Sequence, residues 1–178
     1  MPEAAKIILA IDPGTLRMGY GVVVAYPAME AVDYGVIALP SSMPIESRLY
    51  QMYTHVHNLI AIFRPGAVAI EDPFVGRGER SFPGSSLAIG QAQAVVLIGA
   101  ASQGIEIFKY APAQIKRSVA DHGAATKEQM RGIVSATLGL PASLEIDAAD
   151  ALAVGLCHLS RQQATGALLN EIPPGRER

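Results

Sequence analysis

The sequence predicts a single α/β domain with a mixed five-stranded sheet covered by helices. Three observations lead there. Short apolar runs of strand length are each closed by turn residues. The first three runs follow one another through short links, the pattern of an antiparallel meander. After them, helical and strand patterns alternate, which adds strands across intervening helices and makes the sheet mixed. The chain has 178 residues, of which 50% are hydrophobic, enough for one sizeable core and too few for two large domains.

Ile7 to Ile11 is an apolar run closed by Asp12-Pro13-Gly14, a buried strand ending in a turn. Gly19 to Ala25 and Ala31 to Leu39 read as the second and third strands, and Pro40 and Pro44 break the pattern. From Ile45 to Phe63, Leu49, Met52, Tyr53, Val56, Leu59, Ile60 and Phe63 fall on one helical face, and Arg64-Pro65-Gly66 ends the helix. Ala67 to Ile70 is a fourth, buried strand running into Glu71. A loop rich in Gly, Ser and Arg is expected from Gly76 to Ser86.

Leu87 to Ser102 reads as a helix apolar on more than one face, thinned by Gly90, Ala92, Ala94 and Gly99, so that something packs closely there. Because several faces are apolar, the same helix is the candidate surface for contact between copies of the chain. Ile105 to Tyr110 is the fifth strand, and Pro112 opens a short helix to Val119. Thr126-Lys127-Glu128-Gln129 has the form of a capping box, and the helix it opens stops near Gly139-Leu140-Pro141. The last helix starts at Asp147 and runs to about Gln163. The domain is thereby placed at residues 1–163 and a flexible tail at 164–178, where Pro173 and Pro174 stand among mixed charges.

The net charge of −2 speaks at first against a nucleic-acid partner. Its distribution speaks otherwise: residues 77–131 carry a balance of +3 and the remainder −5. A locally basic region can contact phosphates, and chance clustering on a solvated face explains it equally well. The single cysteine, Cys157, lies in an apolar stretch and reads as a buried core thiol in a reducing compartment. The start of the chain has no signal-peptide pattern and no run reaches membrane-spanning length, so a cytoplasmic location is expected.

Four carboxylates stand at the ends of elements. Asp12 ends the first strand, Glu71 ends the fourth, and Asp147 and Asp150 are three apart at a helix start, on one helical face. Singly, each has a plain explanation. Asp12 shapes the Asp-Pro-Gly turn, Glu71 is a solvated strand end, Asp147 is an N-cap, and Asp150 favours the positive end of the helix dipole. Together they point to divalent cations. Converging carboxylates repel, Mg²⁺ prefers oxygen ligands, and two ions about 4 Å apart serve in-line phosphoryl displacement. Sequence order alone does not bring the four together.

Ile11-Asp12-Pro13-Gly14-Thr15, Gly19-Tyr20-Gly21, Ala69-Ile70-Glu71 with Phe74, Gly90-Gln91-Ala92, Tyr110-Ala111-Pro112 with Lys116, and Asp147-Ala148-Ala149-Asp150-Ala151-Leu152-Ala153 occur in this order. From about residue 6 to 160 the chain resembles the RuvC-type crossover junction endodeoxyribonucleases, the bacterial Holliday junction resolvases. The resemblance implies an RNase H-like fold and a homodimer working with the RuvA–RuvB branch-migration complex. It implies paired symmetric nicks in four-way junction DNA, leaving 5′-phosphate and 3′-hydroxyl ends, with two Mg²⁺ or Mn²⁺ ions per active site. By the family pattern, Asp12, Glu71, Asp147 and Asp150 are metal-binding and catalytic acids. Relatives can carry His in place of the first acid of the final pair, so Asp147 is the exchangeable one. Lys116 and Lys127 match basic residues near the cleaved phosphate, and Phe74 matches an aromatic that probes opened bases. Arg77, Arg80 and Arg117 join Phe74, Lys116 and Lys127 as expected DNA contacts.

Each of the last three roles has an ordinary counterpart: an exposed helix lysine for Lys116, a first-turn lysine for Lys127, a core ring for Phe74. A cation at a helix N-terminus opposes the dipole, which favours a functional reason for Lys127. The Gly76–Ser86 loop is longer than the family pattern leads one to expect. Three rivals are weighed against the resolvase. An actin-like ATPase shares Asp-x-Gly-Thr but needs two lobes. An RNase H-like nuclease acting on ribosomal RNA precursors shares metals and fold. A catalytically silent junction-binding protein does not need the full acidic set.

Overall fold

The computed structural model describes residues 7–25, 28–73, 83–121 and 123–171, the side chains of 83–86 and 166–171 excepted. In chain order its elements are β1 (Ile8–Asp12), β2 (Arg17–Val24), β3 (Glu30–Ala38), α1 (Ile45–Phe63), β4 (Ala67–Glu71), α2 (Pro83–Ala101), β5 (Glu106–Tyr110), α3 (Pro112–Ala120), α4 (Lys127–Leu138) and α5 (Ile146–Glu171). The strands form one sheet in the order β3-β2-β1-β4-β5. β1, β2 and β3 pair antiparallel, while β1 with β4 and β4 with β5 pair parallel. The expected mixed five-stranded α/β sheet is therefore present, with β1 at its centre.

Alternation along the strands divides the core in two. Leu9, Ile11, Met18, Val22, Val68 and Ile70 face α1 and α2. Ile8, Ala10, Val23, Ala67, Ala69 and Tyr110 face α3, α4 and α5. Asp12 shares parity with Ile8 and Ala10, and Glu71 with Ala67 and Ala69. Both strand-end carboxylates therefore lie on the α5 side of the sheet, and β1 and β4 are adjacent parallel strands in register through Ile11 and Ile70.

The helix boundaries follow local chemistry. Thr126 caps α4, its hydroxyl accepting from the Gln129 N–H at 3.2 Å while Gln129 Oε1 accepts from the Thr126 N–H at 2.9 Å. Gly139 closes the same helix in the left-handed conformation at φ 64°. Arg64 does so for α1 at φ 47°, returning its N–H to the Ile60 carbonyl. Pro112 is set at the start of α3, where its missing N–H costs nothing.

Three expectations change. α2 begins at Pro83, so Pro83 to Ser86 belong to the helix and not to the loop expected through Ser86; a proline tolerates a first helical turn as well as a loop. α5 continues to Glu171, past the end expected at Gln163, because nothing between Gln163 and Glu171 is a strong stop and the prolines come only at 173 and 174. Asp147 is the second residue of α5 and not its N-cap, since the helix opens at Ile146 with the Ala149 N–H bonded to the Glu145 carbonyl. Cys157 is buried as expected.

α5 lies unusually close to the sheet, and glycines are the cause. A Cβ at Gly19 would stand 1.9 Å from the Asp147 carbonyl oxygen, and one at Gly21 2.6 Å from Leu152 Cδ2. From the helix side, a Cβ at Gly155 would stand 2.8 Å from Val23 Cγ2. Asp12 pairs with Gly19 across β1 and β2. The bare patch on β2 thus lets the start of α5 descend beside the strand that ends in Asp12. On the opposite side, a Cβ at Gly99 of α2 would stand 3.2 Å from Val56 Cγ1 of α1, which is the close packing expected on α2.

Gly19→Ala is expected to destabilise the fold by about 2 kcal/mol, within the range of overpacking, because the obstructing atoms are main-chain atoms of α5. A thermal melt beside Gly132→Ala, where a Cβ meets nothing within 4 Å, checks it. Equal melting temperatures for the two variants would refute the close-packing account.

Candidate active site

Asp12 and Glu71 end two adjacent parallel strands, so their side chains emerge next to each other at one edge of the sheet. Asp150 comes down to them from the first turns of α5. Lys116 of α3 and Lys127 at the start of α4 complete the surround. Asp12, Glu71, Lys116, Lys127 and Asp150 line one cavity of about 280 Å³, together with Pro112, Ile115, Met130 and Ala153. Five of the six residues expected to be catalytic are brought together there.

The electrostatics show how close the acids are. Asp12 is pushed up to about 8, first by burial and then by the charges of Glu71 and Asp150, with Lys127 opposing and Asp147 adding the smallest contribution. Glu71 is also raised, by burial and then by Asp150, against the pull of Lys127 and Lys116. Lys127 Nζ donates to Asp150 Oδ2 at 2.8 Å, and that bond, more than any other cause, raises the lysine. The lysine that opposes the dipole at the start of α4 is therefore held there by a carboxylate of α5.

Asp147 stands apart. Its carboxylate does not line the cavity and is held by Arg17, whose Nε donates to Asp147 Oδ2 at 2.5 Å while Nη2 pairs with Glu145 at 2.7 Å. Arg117 is exposed and also lies outside the cavity lining. Phe74, Arg77 and Arg80 fall outside the described residues.

The acids fit a divalent cation. The donors are all carboxylate oxygens, the preferred partners of Mg²⁺ and Mn²⁺. Their mutual repulsion and burial are what a bound cation relieves. Among the described residues no three His, Cys, Asp or Glu side chains stand close enough together to hold one ion as they lie, and Asp150 Oδ2 accepts from Lys127 Nζ.

Two supports were not found by sequence reasoning. Gln93, buried in α2, donates from Nε2 to the Glu71 carbonyl oxygen at 3.2 Å and so ties the end of β4 to the opposite helix layer. Next to it the Asp72 N–H donates to the Tyr110 carbonyl, and Asp72 pairs with Lys109 at 3.2 Å. A glutamine among the apolar residues Ala92, Ala94, Val95 and Val96 was the available signal for Gln93. Arg17 had none, since a strand-start arginine is ordinary. Deeper in, the Tyr110 hydroxyl and His158 Nδ1 meet at 2.7 Å and join β5 to α5.

Residues 8–158 match the family model described as crossover junction endodeoxyribonuclease RuvC. The chain belongs to the RuvC family. It is 42% identical to the crossover junction endodeoxyribonuclease RuvC of Chromohalobacter salexigens over 98% of this chain and 89% of that one. With its counterpart in Roseiflexus sp. it is 41% identical over 84% of this chain and 88% of the other. Thermus thermophilus RuvC, solved in complex with a Holliday junction substrate, superposes with a TM-score of 0.79 at 31% identity, over 90% of this chain and 96% of that one. The yeast mitochondrial Holliday junction resolvase Ydc2 superposes at 0.68 with 12% identity over 93% and 82%, a likeness of fold. The RuvC fold, RNase H-like with a mixed five-stranded sheet, is thus the fold of this chain, and the family is one of nucleases. Among the described residues no helix is long and apolar enough to cross a membrane.

The raised Asp12 sets a pH dependence. Its unfolded-state value is 3.8 and its folded value about 8, so between these the folded state holds a proton that the unfolded state has lost, and stability falls as pH rises from about 4 through about 8. Asp12→Asn removes this slope. In chelator the variant should be more stable than the parent at pH 8 by at least about 1 kcal/mol, less than one pKa unit's worth, and the gain should shrink at pH 5. Parallel slopes for parent and variant in denaturant titrations would refute the assignment.

Proposed function

We propose that this chain resolves four-way DNA junctions in recombination and repair by paired symmetric nicks, using divalent cations held by Asp12, Glu71 and Asp150 with Asp147 at their edge. The observation that carries the reading is the meeting of those three acids with Lys116 and Lys127 around one cavity, in a chain of the RuvC family. Thermus thermophilus RuvC takes a Holliday junction as its substrate, and its match over nine-tenths of this chain supports the same substrate here.

Two Mg²⁺ or Mn²⁺ ions, when bound, would activate the attacking water and stabilise the leaving oxygen, which yields 5′-phosphate and 3′-hydroxyl ends. The protein's own contribution is placement and charge. β1 and β4 hold Asp12 and Glu71 rigidly because both strands are buried up to their last residue. Lys116 and Lys127 border the cavity from two helices, where they neutralise charge building on the phosphate and fix the strand. Phe74 stacks on an opened base, and Arg77, Arg80 and Arg117 contact the backbone around the crossover.

Two symmetric nicks need two sites, and a homodimer supplies them. α2 supports this role: Leu87, Ala94, Ile98 and Ala101 lie exposed along one stripe, with Leu87 at 66% and Ile98 at 60% exposure. The RuvA–RuvB branch-migration complex is the proposed partner in the cell, and the cytoplasm the proposed place.

Incubation of a synthetic four-way junction with Mg²⁺ or Mn²⁺, beside matched duplex and RNA, tests the substrate. Junction-selective cutting is expected, and equal cutting of all three would sink the reading. Glu71→Gln should bind the junction and fail to cut it. Lys116→Ala should lower the single-turnover rate by roughly 100-fold with a smaller loss of binding; a near-parent rate for either variant places that residue outside the chemistry. Sedimentation equilibrium at micromolar concentration should give twice the chain mass, with Ile98→Asp shifting it to the monomer; a monomeric parent would remove α2 as the interface.

A further inference from the structure

Asp147 is the acid that the structure leaves outside the cavity, and the reason lies in the register of β2. Arg17 and Gly19 project from the same face of that strand. Gly19 seats the main chain of Asp147, so close packing and the first turn of α5 set the backbone position of this acid. Arg17, one pleat earlier, takes its carboxylate at 2.5 Å and anchors its other arm on Glu145 at 2.7 Å. What Arg17 decides is therefore only where the carboxylate is directed. The pair is well solvated, with Arg17 48% and Asp147 30% exposed. Such pairs are weak, so a divalent cation can displace one.

We infer that Arg17 positions the Asp147 carboxylate away from the metal centre and competes with the second divalent cation for it. The inference rests on the metal-dependent reading proposed above. Two electrostatic facts agree with it. Asp147 contributes least to the field at Asp12 and is absent from the causes acting on Glu71. The guanidinium also carries a fixed positive charge that a cation approaching Asp147 must meet at short range. The first ion, at Asp12, Glu71 and Asp150, is then the tight one. The second binds only as Arg17 gives up its hold, which makes the second site the one that sets the metal requirement.

The test is a Mn²⁺ titration of the protein without DNA, followed by electron paramagnetic resonance, which counts bound ions directly. Arg17 lies at an exposed strand start, so Arg17→Ala should fold. The expected result is an unchanged first ion and a second ion bound about two- to fivefold more tightly, the range of an exposed ion pair. Adding Asp147→Asn to the Arg17→Ala variant should abolish the gain. The Mg²⁺ concentration for half-maximal junction cutting by Arg17→Ala should fall by a similar factor. An unchanged or weaker second ion in Arg17→Ala, beside intact cutting, overturns the inference and leaves the nuclease reading standing. A gain that survives Asp147→Asn overturns it too, because the effect would then be removal of a distant charge. A parent chain and an Arg17→Ala variant that both bind no Mn²⁺ overturn the metal-dependent reading and the inference with it.

Discussion

The close seat of α5 on the sheet is the contact on which the rest of this molecule depends. Gly19, Gly21 and Gly155 remove three Cβ atoms that would otherwise meet backbone or packed side chains. The gain is position. α5 covers β1 and β2, carries Leu152 and Val154 into the core, and delivers Asp150 to the ends of β1 and β4. A helix held farther off would still bury apolar surface, but its carboxylates would sit above the sheet edge and not beside Asp12. Packing distance is here a chemical variable, because Coulomb interaction and shared ligation both fall away over a few ångströms.

That closeness has an energetic cost, and the cost is informative. Burial and then the charges of the neighbouring acids raise Asp12 and Glu71 in this cleft, and Asp12 reaches about 8. The charge of Lys127 offsets part of this at Asp12 and Glu71, and that of Lys116 does so at Glu71. Functional sites are where such arrangements persist, since the strain disappears only when the partner of opposite charge arrives. Gln93, Asp72 and the main chain of Tyr110 bear the mechanical side of the same problem by fixing the turn after β4 to α2 and to β5.

Much of the fold was legible because its signals are local. Turn residues closed the strands, Thr126 and Gln129 built the box that opens α4, and the apolar stripe of α1 ran from Ile45 to Phe63 as its spacing predicts. The misjudged boundaries have local causes as well. Pro83 suits either a loop or a first helical turn, and α5 meets no proline before Pro173, so the helix continues past Gln163. The flanking acids of the site were legible as residue types at element ends, and the family pattern named their roles. Their grouping was not, and neither was the tether from Gln93 to Glu71.

The sequence by itself determined which strands and helices form, and that Asp12 and Glu71 stand at strand ends and Asp150 near a helix start, because periodicity and turn chemistry act over a few residues. Only the tertiary structure decided which acids share a cavity. β1 and β4 become neighbours across an intervening helix, and β2 places Gly19 under Asp147 and Arg17 against its carboxylate from 130 residues away. Contacts at that separation have no period to read. They follow from strand register and helix approach, which are set by the whole core at once.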